Sequence, residues 1–206
     1  MLKTIIFDLS EVFIYGMYGI ERPLARILSI AEDTIISLMS GNRLRQLFQG
    51  EITEDQYFQD LLSEVQWDIS LDSFKRVVRG NFHGTVRGMD SDLLRRLDGK
   101  YELIILSDHA REWVEYIKPI HQPLLSKFSQ LFFSYDHRLQ GTKKFEVTFQ
   151  KVLKIIGNRP EECLFIDDRA RNVEVAGKVG IPGIHFTDAQ HLINEDLPQF
   201  GITLIA

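Results

Sequence analysis

Four apolar runs in this chain stop on a small polar or acidic side chain. Thr4-Ile5-Ile6-Phe7 runs into Asp8, and Leu103-Ile104-Ile105-Leu106 into Ser107. Leu131-Phe132-Phe133 runs into Ser134, and Cys163-Leu164-Phe165-Ile166 into Asp167-Asp168. Unbroken apolar runs of this length fit strands covered on both faces, the condition of a parallel sheet. Ile184-His185-Phe186 reads as a final short strand. Helical stripes lie between the later runs. One is Trp113, Tyr116, Ile117 and Ile120. A second is Phe149, Val152, Leu153 and Ile156, closed by Gly157. The third is Val173, Ala176, Gly177 and Gly180, whose small residues predict a helix lying close on the sheet. Strands alternating with helices give a parallel sheet with helices on both faces. The carboxyl ends of such strands share one edge, and ligands bind in the crevice there. The polar endings, distant in sequence, are therefore predicted to meet in space.

Residues 20–80 break the pattern. They show helical periodicity and no convincing strand. Phe58, Leu61, Leu62 and Val65 fall on one helical face, behind a capping-box pattern at Thr53-Glu54-Asp55-Gln56. A second start at Ser70 to Ser73 leads into Phe74, Val77 and Val78. This stretch is too long for a crossover between neighbouring strands. The expected fold is α/β, a Rossmann-like parallel sheet core over 1–15 and 90–206, with an inserted all-helical cap over 16–89. Tyr15-Gly16-Met17-Tyr18-Gly19 reads as the loop into the cap, its glycines serving as hinges. A chain of 206 residues suits one core with an insert.

Composition narrows the partners. With 24 basic and 29 acidic side chains the net charge is −5, which argues against nucleic-acid binding through phosphate neutralisation. The one cysteine, Cys163, excludes an intrachain disulfide and a Cys-based zinc cluster, and it fits a reducing compartment. The first apolar run stops at Asp8, short of the roughly 7–15 residues of a signal-peptide h-region. No apolar run approaches the ~18 residues of a membrane span. These features predict a cytoplasmic protein with neither membrane nor nucleic-acid partner.

Taken singly, the polar endings have ordinary explanations. Asp108 reads as the N-cap of the helix that follows it, Asp167-Asp168 as a cap for a helix near Arg169, and Lys143-Lys144 as a solvated pair. Together they say more. Three carboxylates on one edge repel unless a cation sits among them, so Asp8, Asp167 and Asp168 predict a hard divalent ion, Mg²⁺. A serine hydroxyl and a lysine completing the ring suit a phosphoryl group. The six histidines lack metal-ligand spacing, and only His109 follows the motif serine closely. Arg43 and Arg45 in the cap read either as contacts to an anionic substrate or as a solvated helix face.

The order of a strand ending in Asp8, a strand ending in Ser107, a lysine, and a strand ending in Asp167-Asp168 resembles the four-motif signature of the haloacid dehalogenase (HAD) superfamily. The stretch from Cys163 to Ala176 is similar to the branch holding glucose-phosphate phosphatases and the phosphatase domain of soluble epoxide hydrolase. Gly50-Glu51-Ile52-Thr53 in the cap also resembles that branch. The resemblance implies a Mg²⁺-dependent phosphatase acting on a small phosphorylated metabolite. Asp8 is then the nucleophile that becomes phosphorylated. Ser107, Asp108 and the lysine lie at the phosphoryl group. Asp8, the backbone carbonyl of Ser10 and Asp168 hold the metal, with Asp167 in the same shell. Counting forward from Gly141 favours Lys144 as the motif lysine; counting back from the helix at Phe149 favours Lys143, which is the expected motif lysine.

Two positions depart from the family pattern. Its second aspartate, the general acid and base, is Ser10 here, and a hydroxyl is no proton carrier near neutral pH. Glu11 stands one position on, either as a substitute or as a solvated loop residue. Asp108 stands where asparagine is usual. Two alternatives follow from these departures. One is a 2-haloacid dehalogenase, which the Asp167-Asp168 pair speaks against. The other is a slow or non-catalytic protein that binds a phospho-ligand or a protein partner.

Overall fold

A computed structural model describes residues 1–204 apart from Gln66 and Gln140, so the last two positions of the 90–206 segment lie outside it. Five parallel strands form one sheet in the order β3-β2-β1-β4-β5. They are β1 (Thr4–Phe7), β2 (Glu102–Ser107), β3 (Gln130–Phe133), β4 (Cys163–Asp167) and β5 (Gly183–His185). Each apolar run of the sequence is one of these strands. The fold is the α/β, Rossmann-like one expected.

The helices fall into two groups. Between β1 and β2 come α1 (Glu21–Leu28), α2 (Glu32–Met39), α3 (Asn42–Gln49), α4 (Glu54–Val65), α5 (Leu71–Asn81) and α6 (Ser91–Leu97). After β2 come α7 (Arg111–Ile120), α8 (Gln122–Leu125), α9 (Glu146–Ile156) and α10 (Ala170–Lys178), and short turns of helix over 189–199 close the chain. The local start signals operate as the sequence suggests. Thr53 and Gln56 exchange backbone N–H bonds at 2.9 and 3.2 Å, and Ser70 accepts from the Ser73 N–H. Gly157 ends α9 with φ 73°, a conformation that costs glycine nothing.

Strand alternation divides the core. Ile5, Phe7, Leu103, Ile105, Leu164 and Ile166 face one side, where they join Phe13, Trp113 and the buried faces of the inserted helices, among them Leu47, Phe58, Phe74 and Phe82. Ile6, Ile104, Leu106, Phe132 and Phe165 face the other, against Phe149 and Val152 of α9 and Ala176 of α10. The inserted helices therefore share one hydrophobic core with a face of the sheet. The close packing of α10 rests on Ala176; Gly177 faces open space, and Gly180 serves a left-handed turn at φ 87°. No helix among the described residues is long and apolar enough to cross a membrane.

Candidate active site

The register brings the strand ends together. Phe7 pairs with Ile105 and with Ile166, and the Asp8 N–H donates to the Ile166 carbonyl at 2.9 Å. Asp8 and Asp167 thus leave neighbouring strands side by side. Asp8, Asp167 and Asp168 place carboxylate oxygens within 4.8 Å of one another.

Lys143 closes this group. It is 2% exposed; its Nζ bonds Asp8 Oδ2 and lies 2.6 Å from Asp167 Oδ2. Burial alone would push its ammonium pKa down. Asp167, Asp8 and Asp108 more than offset that and hold the pKa above the ordinary lysine value. Lys144 is exposed at the rim of the same cleft. Asp167 is fully committed: besides Lys143, it accepts from the Arg169 N–H at 2.8 Å and from Asn172 Nδ2 at 2.9 and 3.1 Å. Burial, with Asp8 and Asp167 beside it, pushes Asp168 up to about 7.

Asp108 does not cap α7. The N-cap is Ala110, without a side-chain bond, and the Asp108 carboxylate instead accepts the Lys143 backbone N–H at 3.1 and 3.3 Å. A chain reversal before α9 brings that amide within reach, and this long-range bond outcompetes the local one. Burial raises Asp108 to about 6 against the opposing pull of Lys143. The Ser107 hydroxyl is buried and has no hydrogen-bond partner among the described residues; the same holds for the Thr142 hydroxyl next to Lys143. Thr142 lines the cleft with Lys143, and its orphaned hydroxyl suits an oxygen of a phosphoryl group, whereas Ser107 is not in the lining.

Ser10 Oγ lies 2.8 Å from His109 Nε2. His109 is buried against Phe82 and Trp113, and burial followed by the charge of Lys143 lowers its pKa to about 3, so the ring is neutral. Glu11 is not a solvated loop residue. It adopts φ 61°, and its Oε1 accepts the N–H groups of Gly16 at 2.8 Å and Tyr18 at 3.2 Å. Burial raises its pKa against those two bonds. Gly16 is needed for close approach: a Cβ there would stand 2.7 Å from the Ser10 Cβ.

The cleft, about 180 Å³, opens between this edge and α3. Met17, Leu44, Phe48 and Trp113 line it, with Arg45, Lys144 and Arg169. Arg43 stays outside, paired with Glu64 at 2.7 Å. Ser134 is not in the lining. It donates to the Phe48 carbonyl at 2.5 Å and accepts the His109 N–H at 3.1 Å, tying α3 to the sheet edge. Thr142, Asn172 and Trp113 are among the residues that the sequence reading gave no part at the site. Trp113 lay hidden in a core stripe, and the other two carry no spacing signal.

The family model of NLI interacting factor-like phosphatases matches residues 44–197. The chain belongs to that family, within the HAD superfamily of hydrolases. The match starts inside α3, so Asp8 lies ahead of it. Flavin mononucleotide hydrolase 1, a chloroplast protein of Arabidopsis thaliana, is 26% identical over 138 residues, 66% of this chain and 54% of that protein. The chain thus spans about half the length of that relative. Among solved structures, the HAD family enzyme bt-2542 of Bacteroides thetaiotaomicron superposes with a TM-score of 0.75 at 20% identity, covering 98% of this chain and 99% of that one. Its complex with magnesium and inorganic phosphate gives 0.74 at 22%, covering 94% and 100%. The HAD-hydrolase YfnB of Bacillus subtilis, bound to magnesium, gives 0.70 at 17%, covering 98% and 99%. These likenesses establish the fold.

Proposed function

We propose that the chain is a Mg²⁺-dependent phosphatase acting on a small phosphorylated metabolite. One observation carries the reading: at the sheet's carboxyl edge Lys143 joins Asp8 to Asp167, and the Thr142 hydroxyl, next to it in the cleft lining, has no hydrogen-bond partner among the described residues. In this reading Asp8 Oδ1, which accepts the Leu9 N–H at 2.7 Å, attacks phosphorus, the bond from phosphorus to the ester oxygen breaks, and the leaving alkoxide takes a proton from solvent water. Water then attacks phosphorus of the aspartyl-phosphate, and the bond to the Asp8 oxygen breaks to release phosphate. Lys143 and the Thr142 hydroxyl hold the phosphoryl oxygens, while Asp108 fixes Lys143 through its amide.

The all-oxygen donor set fits a hard cation. Asp8, Asp168 and the Ser10 carbonyl would hold Mg²⁺, with Asp167 in the same cluster and its oxygens shared with Lys143 and Asn172. The ion would neutralise charge on the transferring group. Residues 16–89 act as a cap over a core of 1–15 and 90–206. A cytoplasmic location is part of this reading and rests on the single, buried Cys163. The Arabidopsis relative's name makes flavin mononucleotide a substrate to test. Against it stands the cleft, smaller than the roughly 300 Å³ at which pockets enclose drug-sized ligands.

The test is hydrolysis of para-nitrophenyl phosphate with Mg²⁺ and with EDTA. Turnover that needs Mg²⁺ and disappears in Asp8→Asn is expected. Turnover surviving in that variant overturns the assignment of the nucleophile. A folded wild-type protein that binds inorganic phosphate without turnover favours the binding role that Ser10 suggests.

A further inference from the structure

The cleft carries positive charge beyond Lys143, and one of the groups bearing it, Arg45, comes from the cap side. Lys143 is committed to Asp8 and Asp167. Arg45, Lys144 and Arg169 line the cleft as well. Arg45 is placed most tellingly. It donates through Nη2 to Asn42 Oδ1, but its Nε is buried and has no hydrogen-bond partner among the described residues. Arg43, two positions earlier on the same helix, points away and pairs with Glu64. A buried guanidinium donor without an acceptor is an unfavourable arrangement that a ligand can complete.

We propose that Arg45 heads a subsite for a second anionic group on the substrate. The preferred ester is then one whose leaving alcohol itself carries a carboxylate or a further phosphate. The planar guanidinium matches such groups in shape as well as charge, and Arg169 and Lys144 add to the field at the rim. Leu44, Phe48 and Trp113 line the same cleft, so the part of the substrate between its two anions meets apolar walls. The volume of about 180 Å³ suits a short carbon chain rather than a fused ring system. The inference deepens the phosphatase reading and rests on it for the place of the transferred group at Asp8.

The experiment measures binding, so that it does not depend on turnover. Calorimetry on Asp8→Asn with Mg²⁺ compares 3-phosphoglycerate with glycerol 3-phosphate, which differ in the carboxylate, and includes flavin mononucleotide. The expected result is 3-phosphoglycerate bound about tenfold or more tighter than glycerol 3-phosphate. Adding Arg45→Gln brings that ratio close to one, and Arg45→Lys restores part of it. Equal affinities, a ratio unchanged by Arg45→Gln, no binding of 3-phosphoglycerate at millimolar concentration, or tighter binding of flavin mononucleotide each overturn the subsite. If the affinity ratio holds while wild-type protein hydrolyses none of the esters, the phosphatase reading fails and the subsite stands.

Discussion

The Ser10 hydroxyl and the His109 ring meet at 2.8 Å across 99 positions of sequence, one from the loop after β1 and the other from the loop after β2. Ser10 holds the place where the superfamily pattern has a carboxylate, and its partner is a neutral, buried imidazole. Glu11 has one carboxylate oxygen, Oε1, bonded to two backbone N–H groups of the loop into the inserted helices. In the proposed hydrolytic cycle the Ser10 position then supplies no carboxylic acid, and Glu11 is engaged with that loop. General acid–base help is worth about 10²–10⁴-fold. Ser10→Asp is expected to raise turnover of an alkyl phosphate by about 10²-fold and of an aryl phosphate by less, because an aryl leaving group needs less protonation. Glu11→Gln is expected to lower the melting temperature while changing turnover little. Steady-state rates on one ester of each kind, with Mg²⁺ saturating, check both. A large loss of turnover in Glu11→Gln without gain in Ser10→Asp would return the acid–base role to Glu11.

The two adjacent lysines should behave oppositely. Lys143 is 2% exposed among Asp8, Asp167 and Asp108, whereas Lys144 is exposed. Removing one partner from a buried ionic cluster typically costs about 3–5 kcal/mol, and a surface substitution stays within about 0.5 kcal/mol. Lys143→Met is expected to lose stability on that scale in urea unfolding, and Lys144→Met to lose almost none. Equal effects would mean that Lys143 does not hold the carboxylates together in solution.

The strands were legible because a parallel sheet buried on both faces demands unbroken apolar runs, and each run in the sequence became a strand. The fate of the strand-end side chains was less so. Asp108 satisfies every local rule for an N-cap, yet the backbone amide of Lys143, 35 positions away, takes its carboxylate. Ser134 ends its strand as Asp8 and Ser107 do, but it turns to the Phe48 carbonyl and the His109 amide rather than into the cleft. Periodicity reports which face a residue occupies. It does not report which distant polar group arrives there, and that decides the partners of Asp108, Ser134 and the Ser10–His109 pair.

Glu54 links the inserted helices to the cleft. It is 1% exposed on α4 and accepts from Arg79 Nε of α5 at 3.0 Å and from Trp113 Nε1 of α7 at 2.8 Å. Trp113 in turn lines the cleft. Glu54→Ala leaves the indole N–H without its acceptor and the guanidinium without its partner. Arg79 is part-exposed and regains water, so the expected cost is about 2–3 kcal/mol, below that of a fully buried pair. A change in tryptophan fluorescence and a raised KM should accompany it, because one wall of the cleft loses its anchor. Unchanged fluorescence and KM, with only lower stability, would confine Glu54 to holding α4 and α5 together.

Glu162 gives the chain an acid-sensitive fastening at the opposite, amino-terminal edge of the sheet. Its carboxylate lies 2.7 Å from Lys3 Nζ and accepts the Arg159 N–H at 3.0 Å and an Arg159 guanidinium N–H at 3.3 Å. Its backbone carbonyl accepts the Lys3 N–H, so the same residue holds both the backbone and the side chain of the residue leading into β1. The bond to Lys3, followed by those from Arg159, lowers its pKa from 4.5 to about 2. Between these values the unfolded chain binds a proton that the folded chain does not, so stability rises with pH across that window. The contribution is complete above pH ~4.5 and fades as the pH falls toward ~2. Glu162→Gln removes the charge at every pH. The gap in unfolding midpoint between wild type and variant should be widest near neutrality and narrow steadily below pH ~4.5. Urea titrations of both proteins from pH ~7 to the lowest pH at which wild type remains folded measure it. A gap that stays constant across that range would show that the ion pair with Lys3 adds nothing beyond the hydrogen bonds that glutamine preserves.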